Sequence, residues 1–130
     1  MIVRNLADIR ASECNIKSEN NTWESARMLL KKDGVGFSFH ITTLYAGAEI
    51  QLQYLNHFES VFVMSGLGSI QNLANGETHV LEPGVMYALD KHDDHILRIE
   101  KEITCACTFN PPVSGREVHD QNGSYPADVD

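Results

Sequence analysis

Short apolar runs rich in Val, Ile, Phe and Tyr recur along the chain, and turn signals interrupt them every eight to twelve residues. This is the pattern of an all-β sandwich or barrel. Trp23 to Leu30 and Phe37 to Leu44 are separated by Asp33-Gly34, and Ser69 to Leu73 and Thr78 to Leu81 by Asn75-Gly76, which predicts a two-residue hairpin turn. Pro83-Gly84 leads into Val85 to Leu89, the polar stretch Asp90 to Asp94 into Ile96 to Ile99, and Ile103 to Phe109 closes the series. About nine or ten strands are expected. Helical periodicity is confined to the start, where Asn5 is placed to cap a short turn through Arg10 with Leu6 and Ile9 on one side. Beyond Pro111-Pro112 the sequence turns Gly-, Ser- and Asp-rich, so residues 110–130 are expected to form an irregular tail, ordered only where it packs over something.

With 130 residues, 42% of them apolar and 22% charged, the chain suits a single domain, 1–130, of soluble globular type. Its formal net charge of −8 argues against a nucleic-acid partner, because phosphate binding draws on clustered Lys and Arg, and only Lys31-Lys32 form a basic pair. No apolar leader region opens the sequence and no membrane-length apolar run follows, so a cytoplasmic protein with no membrane partner is expected. In that compartment Cys14, Cys105 and Cys107 are expected to be free thiols. Cys105 and Cys107 share one face of a strand and read as small buried hydrophobes.

Residues 47 to 66 fit the spacing of a cupin metal motif, G-x5-H-x-H-x3-E-x6-G, but not its ligands. Gln53 and Leu55 occupy the histidine slots, while Glu59 keeps the carboxylate slot and Gly47 and Gly66 keep the turns. The second motif, G-x5-P-x-G-x2-H-x3-N, is echoed by Gly76, Pro83, Gly84 and then Tyr87, a phenol where histidine is usual. His95, at the start of a strand, can return to the same interior, whereas His92 lies among Asp90, Lys91, Asp93 and Asp94 and reads as loop surface. Glu59, Tyr87 and His95 would offer two oxygens and a nitrogen, a donor set that suits iron(II) or manganese and leaves positions open for substrate. A metal-free barrel with three polar core residues is the alternative. His57 should share the face of Glu59; Tyr54 does so only if the chain breaks its register at Leu55-Asn56. Neither a nucleophile elbow nor a phosphate loop is present.

Matches extend through Met1-Ile-Val-Arg-Asn-Leu, Trp23-x-Ser25-x-Arg27-x-x-Leu30, Phe37-Ser-Phe-His40-x-Thr42 and Tyr54-x-Asn-His57-x-Glu59. They continue through Pro83-Gly-x-x-Tyr87, His92-Asp-x-His95, Cys107-x-Phe109 and Gly115-x-Glu117-Val-His119-Asp-x-x-Gly-x-Tyr125-Pro. On these residues the chain resembles the ectoine synthases, small cupin lyases of compatible-solute synthesis under osmotic stress. The resemblance implies a jelly-roll cupin barrel, usually a homodimer, with iron(II), or another divalent metal, held by Glu59, Tyr87 and His95. It also implies a substrate pocket lined by Trp23, Arg27, His40, Thr42, Tyr54, His57, Cys107, Phe109, Glu117 and His119, with the C-terminal block as a lid. The implied reaction closes N-γ-acetyl-L-2,4-diaminobutyrate into ectoine with loss of water. Arg27 is then expected to clamp the substrate carboxylate and Trp23 and Phe109 to exclude water, while Tyr54, Glu117 and His119 are the candidates for proton transfer. A non-catalytic ligand-binding cupin, a metal oxygenase, and a divergent enzyme acting on a related acylated amino acid are the competing readings.

Overall fold

The computed structural model describes residues 1–115, 118–120 and 123–127. A short helix α1 (Leu6–Arg10) begins where the Asn5 side chain accepts a hydrogen bond from the Ala7 amide at 2.8 Å. Among the described residues, eight strands follow: β1 (Asn15–Lys17), β2 (Trp23–Leu29), β3 (Ser38–Leu44), β4 (Glu49–Leu52), β5 (Phe58–Asn72), β6 (Thr78–Leu81), β7 (Met86–Leu89) and β8 (His95–Asn110). All pairings are antiparallel.

Two long strands organise the barrel. The first half of β5 pairs with β7 and with the end of β8, whose other edge takes β3, β2 and β1 in turn. The second half of β5 pairs with β6 and with the start of β8, which also takes β4. Both long strands therefore pass from one sheet into the other, the jelly-roll arrangement. Fewer strands form than the turn signals predict, because Gly66 and Gly68 bend β5 without ending it. Gly66 sits at φ +97°, and a Cβ there would collide with the Glu102 carbonyl of β8. Register shifts between Val63 and Gly68 absorb the bend.

The turn at Asn75-Gly76 also differs from expectation. Asn72 N donates to Glu77 O at 2.8 Å and Gly76 N to Asn72 O at 2.8 Å, so a longer loop with Gly76 at φ +77° replaces the two-residue turn. Alternation along the strands sets the core: Val61, Val63, Leu97, Ile99, Ile103, Cys105, Cys107 and Phe109 point inward. The C-terminal segment is drawn in at Val113, Ser124 and Tyr125, all buried.

Candidate active site

One end of the barrel encloses a cavity of about 40 Å³, lined among others by Trp23, His40, Thr42, Tyr54, Glu59 and Tyr87. Cys107, Phe109, His119 and Tyr125 complete much of its wall. Strand alternation delivers Glu59, Cys107 and Phe109 to this face, and the Leu52–Phe58 break delivers Tyr54, which an unbroken strand would have turned away from Glu59.

Glu59 is buried, with the Cys107 thiol as its neighbour. Burial, then the thiol, pushes its pKa well above the usual carboxylate range. Tyr87 is half-buried with its hydroxyl end inward; burial and the neighbouring Glu59 raise its pKa well above that of a free phenol. Tyr87 also lines a second cavity, of about 300 Å³, together with His95. His95 Nδ1 donates to the Asp93 carbonyl at 2.9 Å, which leaves Nε2 with the lone pair of the neutral ring. That Nε2 is buried without a hydrogen-bond partner among the described residues. Burial lowers the His95 pKa, against the opposing pull of Asp93 and Asp94. Among the described residues, His, Cys, Asp and Glu form no group of three or more that could hold a metal ion.

The loop that carries Asp93 is tied to the Tyr54 segment. His92, at φ +52°, donates from Nδ1 to the Tyr54 carbonyl at 2.8 Å, and Gln53 Nε2 donates to the His92 carbonyl at 3.1 Å. His92 thus departs from the loop-surface expectation: it is half-buried and stacks on Phe58, with ring centroids 5.0 Å apart. Gln53, in the slot of a missing ligand, works as a tie between strand and loop.

On the opposite wall, Tyr54 Oη and His119 Nε2 are hydrogen-bonded at 2.7 Å. Burial and the charge of Arg27 lower the His119 pKa to about 4, so the imidazole is neutral near pH 7. Trp23 meets the His119 ring edge-on at 5.1 Å. Arg27 is buried behind Tyr125, to whose hydroxyl Nη2 donates at 3.2 Å. His40 is held between Ser25 Oγ at 3.4 Å and Ser38 Oγ at 3.2 Å, and Thr42 donates to Ser25. His57 is buried but lines a neighbouring cavity with Lys31 and Pro111, edge-on to Phe109 and Tyr125. Glu117 lies outside the described residues.

A family model described as ectoine synthase matches residues 1–129. An L-ectoine synthase of Sphingopyxis alaskensis is 62% identical over 98% of this chain and 92% of its own length. The chain belongs to the ectoine synthase family. The crystal structure of ectoine synthase from P. lautus superposes with a TM-score of 0.84 at 43% identity, over 88% of this chain and 81% of that one. The fold extends further: a Cupin_2 domain of a transcriptional regulator from Enterobacter cloacae, 17% identical, gives a TM-score of 0.58 over 70% of this chain and 98% of that one. The function is that of an ectoine synthase, a hydro-lyase. Within this ectoine synthase site, sequence reasoning missed Tyr125 and Cys105 as cavity walls. The Tyr125-Pro match hinted at the first, and the shared strand face of Cys105 and Cys107 at the second.

Proposed function

We propose that the enzyme closes N-γ-acetyl-L-2,4-diaminobutyrate into ectoine with loss of water, at a site that holds iron(II), or another divalent ion, through Glu59, Tyr87 and His95. The buried Nε2 of His95 carries this reading: a lone pair removed from water and given no partner is costly unless a cation or proton meets it. The donor chemistry fits, since Glu59 and Tyr87 add two oxygens, and Tyr87 borders both the cavity that Glu59 lines and the one that His95 lines. A bound divalent ion would supply Lewis-acid polarisation of the acetamido carbonyl.

The chain's own residues do the rest. Arg27 binds the substrate carboxylate, and Trp23 and Phe109 exclude water and fold the substrate so that its α-amino group lies against its own acetamido carbonyl. The ammonium must first lose a proton, a step assigned to the Tyr54–His119 pair on the strength of its 2.7 Å hydrogen bond. Attack gives a tetrahedral carbinolamine, whose hydroxyl leaves as water when the same pair returns a proton. The described cavity, about 40 Å³, has room for a few waters at roughly 10–15 Å³ each, so side chains must move to admit the substrate.

We also propose a homodimer that covers the outer face of β5 and β7. Phe62 and Met64 are about half exposed there and Met86 is 61% exposed, and Phe62 and Met86 are cross-strand partners. The product would accumulate in the cytoplasm as an osmotic-stress solute.

Chromatographic assay of ectoine formation, with chelator-stripped protein resupplied anaerobically with iron(II), tests the reading. Ectoine that appears only on resupply supports it; no product with any divalent metal from folded protein overturns it.

A further inference from the structure

Tyr125 lies outside the residue set that the family resemblance implies, yet its side chain joins both halves of the proposed machinery. It is buried at 3% exposure and lines the cavity. Its ring lies almost parallel to the His119 imidazole, with centroids 4.6 Å apart and planes 10° apart. Tyr54 and Phe109 flank it at 5.0 and 5.3 Å. Its hydroxyl accepts the 3.2 Å hydrogen bond from Arg27 Nη2, and the Arg27 Cζ sits 5.5 Å from the ring centroid.

The backbone holds this position. Asn56 Nδ2 donates to the Tyr125 carbonyl at 2.9 Å, Leu55 N to Ser124 Oγ at 2.9 Å and Gln53 N to the Gly123 carbonyl at 2.9 Å. The segment that anchors Tyr125 is therefore the segment that carries Tyr54.

We infer that Tyr125 is a positioning residue for the cyclisation: its hydroxyl aims the Arg27 guanidinium at the substrate carboxylate, and its ring fixes the His119 imidazole in the orientation that meets Tyr54. The inference rests on the proposed roles of Arg27 and His119. A phenol suits the first task because it is a neutral acceptor. It orders one arm of the guanidinium without adding a negative charge beside it, as a carboxylate in the same place would. For the second task, the Tyr125 face and the Trp23 edge confine the imidazole, so its orientation needs no rearrangement during proton transfer.

Steady-state kinetics of the metal-loaded full-length protein separate the two tasks. Tyr125→Phe keeps the ring and removes the acceptor; it should raise KM for the acylated diamino acid roughly tenfold with kcat within about twofold, the loss of one charge-assisted hydrogen bond. Tyr125→Leu should raise KM similarly and also lower kcat by about tenfold or more, because His119 loses its confining face. Asn56→Ala, which loosens the anchor but leaves Tyr125 in place, should shift both parameters in the Tyr125→Leu direction and supplies the test if Tyr125→Leu does not fold. Arg27→Ala separates the carboxylate clamp from its positioning by Tyr125. If it raises KM while Tyr125→Phe leaves KM unchanged, the positioning role is overturned and the carboxylate clamp stands. If neither moves KM, the clamp itself is wrong and the inference falls with it.

Discussion

Tyr54 and His119 stand 65 positions apart in the sequence and meet at 2.7 Å through a single hydrogen bond between Oη and Nε2. Each residue fixes the other, so their contributions to turnover should not be independent. Tyr54→Phe and His119→Ala are each expected to reduce kcat by about 10²-fold, and the double variant by little more than the worse single one. Losses that multiply in the double variant would show that the two residues act separately.

The lowered pKa of His119 also has a stability consequence. A histidine near 6.5 when unfolded and at about 4 when folded contributes stability above pH 6.5 that is lost as pH falls toward 4. Asp33, held at about 2 chiefly by its hydrogen bond from Arg4, loses its contribution only at more acid pH, below about 4. Thermal melts between pH 7.5 and 4.5 should thus show a falling Tm that is shallower in His119→Asn. Parallel curves for the two proteins would rule this origin out.

Metal affinity is expected to rise with pH. Burial raises the pKa values of both Glu59 and Tyr87, so a cation that binds them competes with protons. Competition with a chromophoric chelator at several pH values should show affinity increasing by up to about tenfold per pH unit for each proton displaced. A pH-independent Kd would remove these two residues from the ligand set.

His92 and Gln53 should matter to the metal without touching it. Their ties hold the loop whose Asp93 carbonyl orients His95. His92→Ala is expected to weaken divalent-metal binding by about tenfold, the size of effect typical of groups that orient a ligand. Unchanged affinity in the folded variant would reduce the tie to a loop contact.

Gly66 and Gly84 offer a paired test of the fold. Both have positive φ, +97° and +95°, but a Cβ on Gly84 meets open space whereas one on Gly66 meets the β8 backbone. Gly84→Ala should cost about 1–3 kcal/mol from backbone strain, and Gly66→Ala clearly more, measured by urea unfolding. Equal costs would mean that the crossing of β5 and β8 can open freely.

Much of this arrangement could be read from the chain. Alternation put Cys105 and Cys107 on one face, the cupin spacing singled out Glu59, and Asn5 announced the helix start. The bend of β5 was not legible, since Gly66 and Gly68 look like turn residues until the Glu102 and Arg98 carbonyls are seen packed against them. His92 has charged neighbours and reads as surface; only its left-handed backbone turns the ring toward Tyr54. Tyr125 belongs to no periodic element, and Arg27, which gives it meaning, is 98 residues away. Local patterns report faces and turns, whereas these contacts depend on the closed barrel.

Among the described residues, His119 and Tyr125 follow every strand of the barrel in the order of the chain. On a ribosome, the strands through β8 emerge before the residues that finish the catalytic wall. The scaffold can close during synthesis while its interior is still open to solvent, and chemistry becomes available only once the stretch beyond β8 is translated. A nascent chain stalled after Asn110 should thus resist proteolysis across its strands and yet make no ectoine.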